Sequence, residues 1–205
     1  MKLKCFGISV ITRNIFKNLY SSSISTKEPL ALNYEREEKL KSELQAKLGI
    51  GFDAHIASLF AKNKKRGFYS YIKLTLKEIF YKAKLYKIEY EGIKREVSAF
   101  AIVFANASQY GNDARIAPNA KEDNGFIDFV IIKKFPHWKI PLFLIDIMNG
   151  KTHLNKNVEI IRTKKMKIES DLPMVHLDGE IKNLSNPIEV KSIHKNFKVF
   201  VPNEK

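Results

Sequence analysis

The chain has 205 residues, of which 44% are hydrophobic, and this content is enough to bury one core. Its single cysteine, Cys5, cannot form a disulfide within the chain, and no Cys/His set has zinc-ligand spacing, so we expect a reducing compartment. The formal net charge of +14 is consistent with lysines on solvated faces, and equally with attraction to an anionic partner, which could be nucleic acid, an acidic membrane surface or a phosphorylated small molecule. No apolar run approaches the roughly 20 residues that span a bilayer, so any membrane contact is expected to be peripheral.

The first 48 residues are expected to form an extension that carries one charged helix. Residues 1–27 contain five basic residues and no acidic residue, a composition shared with transit peptides, so a targeting segment stays an alternative. Between residues 33 and 48 charged side chains crowd together, and leucines at positions 40, 44 and 48 lie on one helical face. This spacing predicts a solvated helix with a narrow apolar stripe.

Two later helices are predicted from apolar spacing and end signals. Residues 68–82 place apolar side chains at helical intervals with lysines on the opposite face. Residues 138–148 have Pro141 in the first turn and end at Asn149-Gly150, which is a favoured helix stop. Both helices are expected to pack on a core.

Short apolar or alternating runs separated by turn signals predict a mainly β domain. The predicted strands are residues 86–90, 97–105, 126–132, 158–162, 166–169, 174–178, 188–191 and 197–201. Many short strands of this kind are typical of antiparallel sandwiches and barrels. We therefore expect an α+β fold in which a two-sheet antiparallel β sandwich or barrel-like domain carries one or two covering helices.

The last of the turns after an apolar run is Asp178-Gly179-Glu180. An Asp-Gly pair is a common hairpin turn, so a plain surface turn is one interpretation. The other is catalytic, because two carboxylates at a strand end can provide a general base for a substrate hydroxyl. The five histidines are scattered along the chain and are interpreted as surface or packed side chains.

Several segments in fixed order carry a family resemblance. They are G-I-G-F-D-A at 49–54, R-G-F-Y-S-Y at 66–71, Asn106 with R-I-A-P-N-A at 115–120 and D-N-G-F-I-D at 123–128, G-K-T-H at 150–153, and D-G-E at 178–180. Together they resemble the diacylglycerol kinase family of lipid kinases, which includes the sphingosine kinases. The resemblance covers residues 49 to about 201 and assigns residues 49–205 to the family's C-terminal domain, whose fold is similar to that of NAD kinase-like proteins.

The resemblance implies a domain of an ATP-dependent lipid kinase that phosphorylates a diacylglycerol-like hydroxyl. The family's nucleotide-binding domain carries a G-G-D-G-T loop, whereas none of the nine glycines of this chain is next to another. We therefore expect the chain to be inactive alone and to use ATP only with a nucleotide-binding domain in trans. A fragment, a misassigned gene start and a stand-alone relative all stay open.

The resemblance also implies the site residues. Glu180 is expected to be the catalytic base with Asp178 beside it. A Mg²⁺ ion is expected at Asn124, helped by the backbone carbonyls of Lys121 and Phe126. Asn124 stands where the family has an aspartate, which weakens the site unless Asp123 substitutes, because magnesium favours anionic oxygen.

The expected partners are a lipid substrate and a peripheral membrane surface, with a cytoplasmic, membrane-peripheral location. The alternative function is a non-catalytic basic module that binds anionic membrane or nucleic acid. Nucleic acid is the less favoured of these two, since no arginine-rich or stacking-aromatic motif accompanies the lysines.

Overall fold

The structure is a computed structural model that describes residues 2–11, 30–31, 47–62, 68–78, 80–108, 114–121, 124–171, 174–177 and 180–201. In these ranges the strands are β1 Lys2–Ile11, β2 Leu30–Ala31, β3 Lys47–Gly51, β4 Lys84–Tyr90, β5 Ile93–Ala105, β6 Ile127–Lys133, β7 Val158–Thr163, β8 Lys165–Glu169, β9 Met174–Leu177, β10 Glu180–Asn183 and β11 Ile188–Val201. The helices are α1 Phe52–Ala61, α2 Phe68–Lys77 and α3 Ile140–Met148, with short 3-10 helices at His137–Lys139 and Thr152–Leu154.

Hydrogen bonds join the described strands into one sheet with the order β1-β11-β8-β4-β5-β3-β9-β10. The long strand β5 is the centre of this sheet, because β4 pairs with its first half, β3 with its second half, and β6 with its other edge. β7 continues from β6, and β2 pairs with β11 in the one parallel contact among the described pairs. The sheet is therefore antiparallel almost throughout.

One face of the sheet closes on itself to form the larger core. Leu48 and Phe129, from the middle of the sheet, pack in the same buried cluster as Met166 of β8 and Ile188 of β11. Strands that are not neighbours can share a core only if the sheet curls. The mainly β, antiparallel fold expected from the sequence is confirmed, and it takes the form of a curled, half-barrel sheet.

The helices cover the opposite face of the sheet. Successive side chains of a strand point to opposite faces, and Ala101 and Val103 of β5 accordingly leave the first core and pack with Phe52 of α1 and Phe143 of α3. Three α-helices are present in the described residues, and the helix that was not predicted from sequence is α1, which follows β3 directly. In the same ranges, no helix combines the length and the apolar content needed to cross a bilayer.

Several predicted boundaries were wrong. The helix predicted over residues 68–82 ends at Lys77, and Tyr81 instead turns its ring toward Phe52 and Phe100 at centroid distances of 5.4 and 5.6 Å. The two strands predicted at 188–191 and 197–201 are one strand, β11, whose pairing with β1 shifts register between Phe6 and Ile8.

The charged helix predicted over 33–48 lies mostly outside the described residues. Its last two positions, Lys47 and Leu48, are in β3, where Leu48 is buried between β5 and β9. The division of the chain at residue 48 stays a prediction, although β1 and β2 are both paired with β11.

Candidate functional site

The sheet register brings separate sequence motifs to one end of the sheet. Ala105 at the end of β5 pairs with Lys47 at the start of β3 and with Asp128 near the start of β6. Leu48 of β3 pairs in turn with Leu177, the last residue of β9. Asn106, the segment that leads into β6 and the end of β9 therefore lie at the same sheet end, although Asn106 and Leu177 are 71 residues apart in sequence.

A buried acid and histidine lie next to this end. The Asp53 carboxylate, in the first turn of α1, is 3.0 Å from Nδ1 of His176 in β9, and both side chains are largely buried. His176 pairs across the strands with Gly49. A Cβ atom on Gly49 would collide with the Asp53 carboxylate, so glycine at this position lets Asp53 fold back over β3 and reach the imidazole.

The join between β3 and α1 depends on a second glycine. Gly51 has a φ of +81°, which favours glycine, and a Cβ there would lie 2.8 Å from the Phe100 carbonyl oxygen. The Tyr86 hydroxyl lies beside Gly51 and has no hydrogen-bond partner among the described residues. Burial, together with nearby Tyr81, raises the pKa of Tyr86, so this phenol stays neutral.

An apolar cavity of about 140 Å³ lies between the sheet and the three helices. Most of its walls are apolar side chains of α1, α2, β5 and α3, with the rings of Phe52, Phe100, Phe135 and Phe143 among them. Asp53 and Thr75 are the polar residues in its lining, and both are buried. The cavity therefore has a largely apolar interior with Asp53, the hydrogen-bond partner of His176, in one wall.

The segment before β6 is fixed by an ion pair. Arg162 of β7 binds the buried Asp128 carboxylate through Nε and a terminal guanidinium nitrogen at 2.6 and 2.8 Å. The same terminal nitrogen donates to the Asn119 carbonyl at 2.7 Å. The hydrogen bond to Asp128 raises the pKa of Arg162, so the cation is permanent and holds residues 115–120 against the sheet.

The G-K-T-H segment contacts the R-I-A-P-N-A segment directly. The buried Thr152 hydroxyl donates to the Arg115 carbonyl at 2.9 Å, and the Arg115 amide donates to the Ile147 carbonyl at 3.0 Å. Two of the motifs that carry the family resemblance are thus parts of one local structure.

In the loop expected to bind the metal, Asn124 forms a hydrogen bond within the loop itself. The Asn124 side-chain oxygen accepts a hydrogen bond from the Phe126 amide at 2.8 Å, which forms an Asx turn, and Lys121 and Phe126 are exposed. The three oxygens named from the resemblance are all neutral, and no cluster of three or more His, Cys, Asp or Glu occurs in the described ranges. These oxygens alone do not fit Mg²⁺, and Asp123 lies outside the described residues.

The expected catalytic acids are only partly described. Leu177, the last residue of β9, pairs with Glu180, the first residue of β10. Asp178 and Gly179 lie outside the described residues, and of Glu180 only the backbone, at the start of β10, is described. Their catalytic role stays a prediction.

The Asp53–His176 pair was not found from sequence. The two residues are 123 positions apart, and only the pairing of β3 with β9 brings them together. The available signal was Gly49 in G-I-G-F-D-A, since its missing side chain leaves the space that the Asp53 carboxylate occupies.

Comparison with solved structures places the fold among diacylglycerol kinase-like proteins. The crystal structure of a diacylglycerol kinase from Bacillus anthracis str. Sterne superposes with a TM-score of 0.59 at 18% identity, over 97% of this chain and 56% of that chain. A second structure from the same strain gives a TM-score of 0.60 at 17% identity, over 97% of this chain and 56% of the other. At these identities the likeness establishes the fold.

Sequence comparison establishes the family. Residues 46–201 match the family described as the YegS C-terminal NAD kinase beta sandwich-like domain, and the chain belongs to this family. A curated relative from Chromohalobacter salexigens, named "Probable lipid kinase YegS-like", is 29% identical over 136 residues, which is 63% of this chain and 43% of the relative. The chain thus spans about half the length of the relatives it matches.

Proposed function

We propose that the chain is the acceptor-side domain of an ATP-dependent lipid kinase, which transfers a phosphoryl group to the hydroxyl of a diacylglycerol-like lipid. Membership of the YegS C-terminal family and the lipid kinase name of the curated relative support this proposal. These 205 residues contain no adjacent glycine pair and therefore no G-G-D-G-T loop, so a nucleotide-binding domain has to be added for phosphoryl transfer. The comparisons give no support to a nucleic-acid-binding module.

The observation that carries the proposal is the apolar cavity with Asp53 in its wall. A cavity of similar size, about 150 Å³, takes up benzene in an engineered protein, so this one suits a short stretch of acyl chain. A lipid alcohol needs an apolar pocket that binds its acyl chain and a polar group near its hydroxyl. The Asp53–His176 hydrogen bond links that cavity wall to β9, the strand that precedes Asp178 and Glu180 in the sequence.

The residues of the chain then divide into binding and proton transfer. The cavity holds the chain of the lipid and excludes water from the hydroxyl. Glu180, or Asp178 beside it, accepts the hydroxyl proton as phosphoryl transfer proceeds. Asp53 is a positioning residue: its carboxylate and Nδ1 of His176 share a hydrogen bond of 3.0 Å, which fixes β9 against α1.

The test is reconstitution of the kinase from two parts. The purified chain is mixed with ATP, Mg²⁺ and diacylglycerol, with and without the N-terminal nucleotide-binding portion of the Chromohalobacter salexigens relative. Phosphatidic acid is expected only in the mixture of both parts. Product from the chain alone would refute the need for a second domain, and no product from the mixture or from a covalent fusion of the parts would refute the proposed activity.

Variants assign the base within that assay. Glu180→Gln is expected to lower kcat by about 10²–10⁴ without a matching rise in KM, since a positioned base contributes on that order. The matched control is Glu169→Gln, an exposed glutamate at the end of β8. If Glu180→Gln were as active as this control, Glu180 would not be the base.

A further inference from the structure

The outer surface of α3 is apolar although it faces solvent. Trp138, Leu142, Ile145 and Met148 recur at helical intervals, and their exposed fractions are 70%, 55%, 55% and 43%. Leu154, in the following 3-10 helix, is 70% exposed. We call these five residues the α3 outer surface. The inner side of the same helix is also apolar, so the outer stripe is not needed for the core.

Lysines surround this apolar surface. Leu142, Ile145 and Leu154 share an open groove of about 520 Å³ with three lysines: Lys139, Lys151 and Lys156. The one acid among the described lining residues is Asp146, which already accepts a hydrogen bond from the Asn155 side chain at 2.9 Å. Lys139 Nζ also lies 5.1 Å from the centroid of the Trp138 ring.

Another lysine-lined groove on the same molecule contains more acidic side chains, which offset most of its positive charge. The groove beside the β4–β5 hairpin, about 340 Å³ in volume, contains Lys87, Lys94, Lys167 and Arg95. Three glutamates, Glu89, Glu96 and Glu169, line it as well. The excess of positive charge relative to acid, combined with exposed apolar side chains, therefore distinguishes the α3 groove from this one.

We propose that the α3 outer surface docks on an anionic lipid bilayer. Tryptophan and leucine side chains suit the boundary between headgroups and acyl chains, and lysines at the rim suit lipid phosphates. A protein partner is less well matched, because lysine is depleted in protein interfaces relative to the rest of the protein surface. Docking in this way places the bilayer against the helix whose inner face lines the apolar cavity, and Met148 belongs to both surfaces.

The docking does not depend on the proposed kinase function and can be tested without ATP. Trp138 is the only tryptophan in the sequence, so its fluorescence reports on this surface directly. Vesicles of phosphatidylcholine with 30% phosphatidylglycerol are expected to shift its emission to the blue, and brominated acyl chains in them should quench it. Phosphatidylcholine vesicles alone should do neither, and high salt should reverse the binding.

Two sets of variants separate this surface from the general basic charge. Lys139→Gln, Lys151→Gln and Lys156→Gln together are expected to weaken vesicle binding by about a hundredfold. The matched control, Lys87→Gln with Lys94→Gln and Lys167→Gln, removes the same charge from the β4–β5 groove and should leave binding unchanged. Leu142→Gln with Ile145→Gln should also abolish the shift, whereas Leu85→Gln with Ile93→Gln, exposed elsewhere, should not.

Three outcomes would overturn the proposal. They are equal binding to neutral vesicles, an unchanged Trp138 spectrum while the protein sediments with anionic vesicles, and equal losses in the two lysine sets. Because the fluorescence experiment uses the unaltered chain, it decides the question even if a variant fails to fold.

Discussion

At the scale of single residues, Gly49 has no side chain and so leaves room for the Asp53 carboxylate. Its missing side chain lets Asp53 lie over β3 and bind His176, which stands opposite Gly49 in β9. Three residues from two distant segments thus form one arrangement. The contact joins β9 to the first turn of α1.

Gly49→Ala is expected to destabilise the chain by about 1–3 kcal/mol, because the new methyl group collides with the Asp53 carboxylate. Denaturant unfolding measures the change. In the Asp53→Ala background the clash partner is absent, so adding Gly49→Ala there should cost much less. Equal costs in both backgrounds would show that the collision is not the cause.

Asn124 is the side chain expected from the family resemblance to bind magnesium. Its amide oxygen is neutral and already accepts a hydrogen bond from the Phe126 backbone amide. We expect millimolar Mg²⁺ to raise the Tm of Asn124→Asp. The new carboxylate gives the ion an anionic oxygen, and an ion that binds only the folded state stabilises that state. An equal rise in the unaltered chain would show that it binds Mg²⁺ as it stands, and Asp123→Asn would then test whether Asp123 supplies the charge.

Glu159 links stability to acid pH. Burial raises the pKa of Glu159, but hydrogen bonds from Lys133 and Arg95 outweigh burial and hold it below the ordinary value. A lowered folded-state pKa stabilises the fold above the unfolded pKa of about 4.3, and this contribution is lost as the pH falls further. Melting curves measured between pH 3 and 7 should show that Tm falls less at acid pH in Glu159→Gln and in Arg95→Gln than in the unaltered chain. An unchanged profile in both would contradict this assignment.

At the scale of elements, β7 is held to the loop before β6 by Arg162. This side chain joins Asp128 in β6 to the Asn119 carbonyl, so the strand pair and residues 115–120 move as one unit. The Asp128 carboxylate is buried, and removal of its partner leaves it unpaired.

Arg162→Met is expected to cost about 1–3 kcal/mol of unfolding free energy, because a buried acceptor loses its donors. The segment 114–121 should also become a site of limited proteolysis. In an Asp128→Asn background the same change should cost less, and a cost that does not depend on Asp128 would show that the ion pair is not responsible.

The helix α3 is an element with two apolar faces. Its inner residues, Ile140 and Phe143, are buried against the sheet, while Leu142 and Ile145 are exposed. A helix that only covers a core needs one apolar stripe. The second stripe is the reason to assign α3 a docking role as well as a structural one.

At the scale of the whole molecule, the curled sheet collects the motifs of separate segments at one end. The ends of β5 and β9 and the starts of β3 and β6 meet there through the register of four antiparallel strands. The cavity and α3 lie on the helical face of the same sheet. One domain therefore holds an apolar cavity, the polar residue Asp53 in the cavity wall, and the α3 outer surface that we propose docks on a bilayer.

Local patterns in the sequence determined most of the strands and the position of α3. Alternating or apolar runs such as Tyr86–Tyr90 identify strands because side chains in a sheet repeat every two residues, and Pro141 and Gly150 mark the ends of a helix by backbone chemistry. The family resemblance placed the chain in a lipid kinase family, which the profile match over residues 46–201 confirmed. Such signals depend on neighbouring residues and can be read from the chain alone.

Only the tertiary structure decided how these pieces meet. It joined residues 188–201 into one strand, placed Lys47 and Leu48 in β3, and paired Asp53 with His176 across 123 positions. It also turned one apolar stripe of α3 toward the cavity and left the other exposed. Strand register and helix orientation arise from contacts between distant residues, and no local pattern of side chains encodes them.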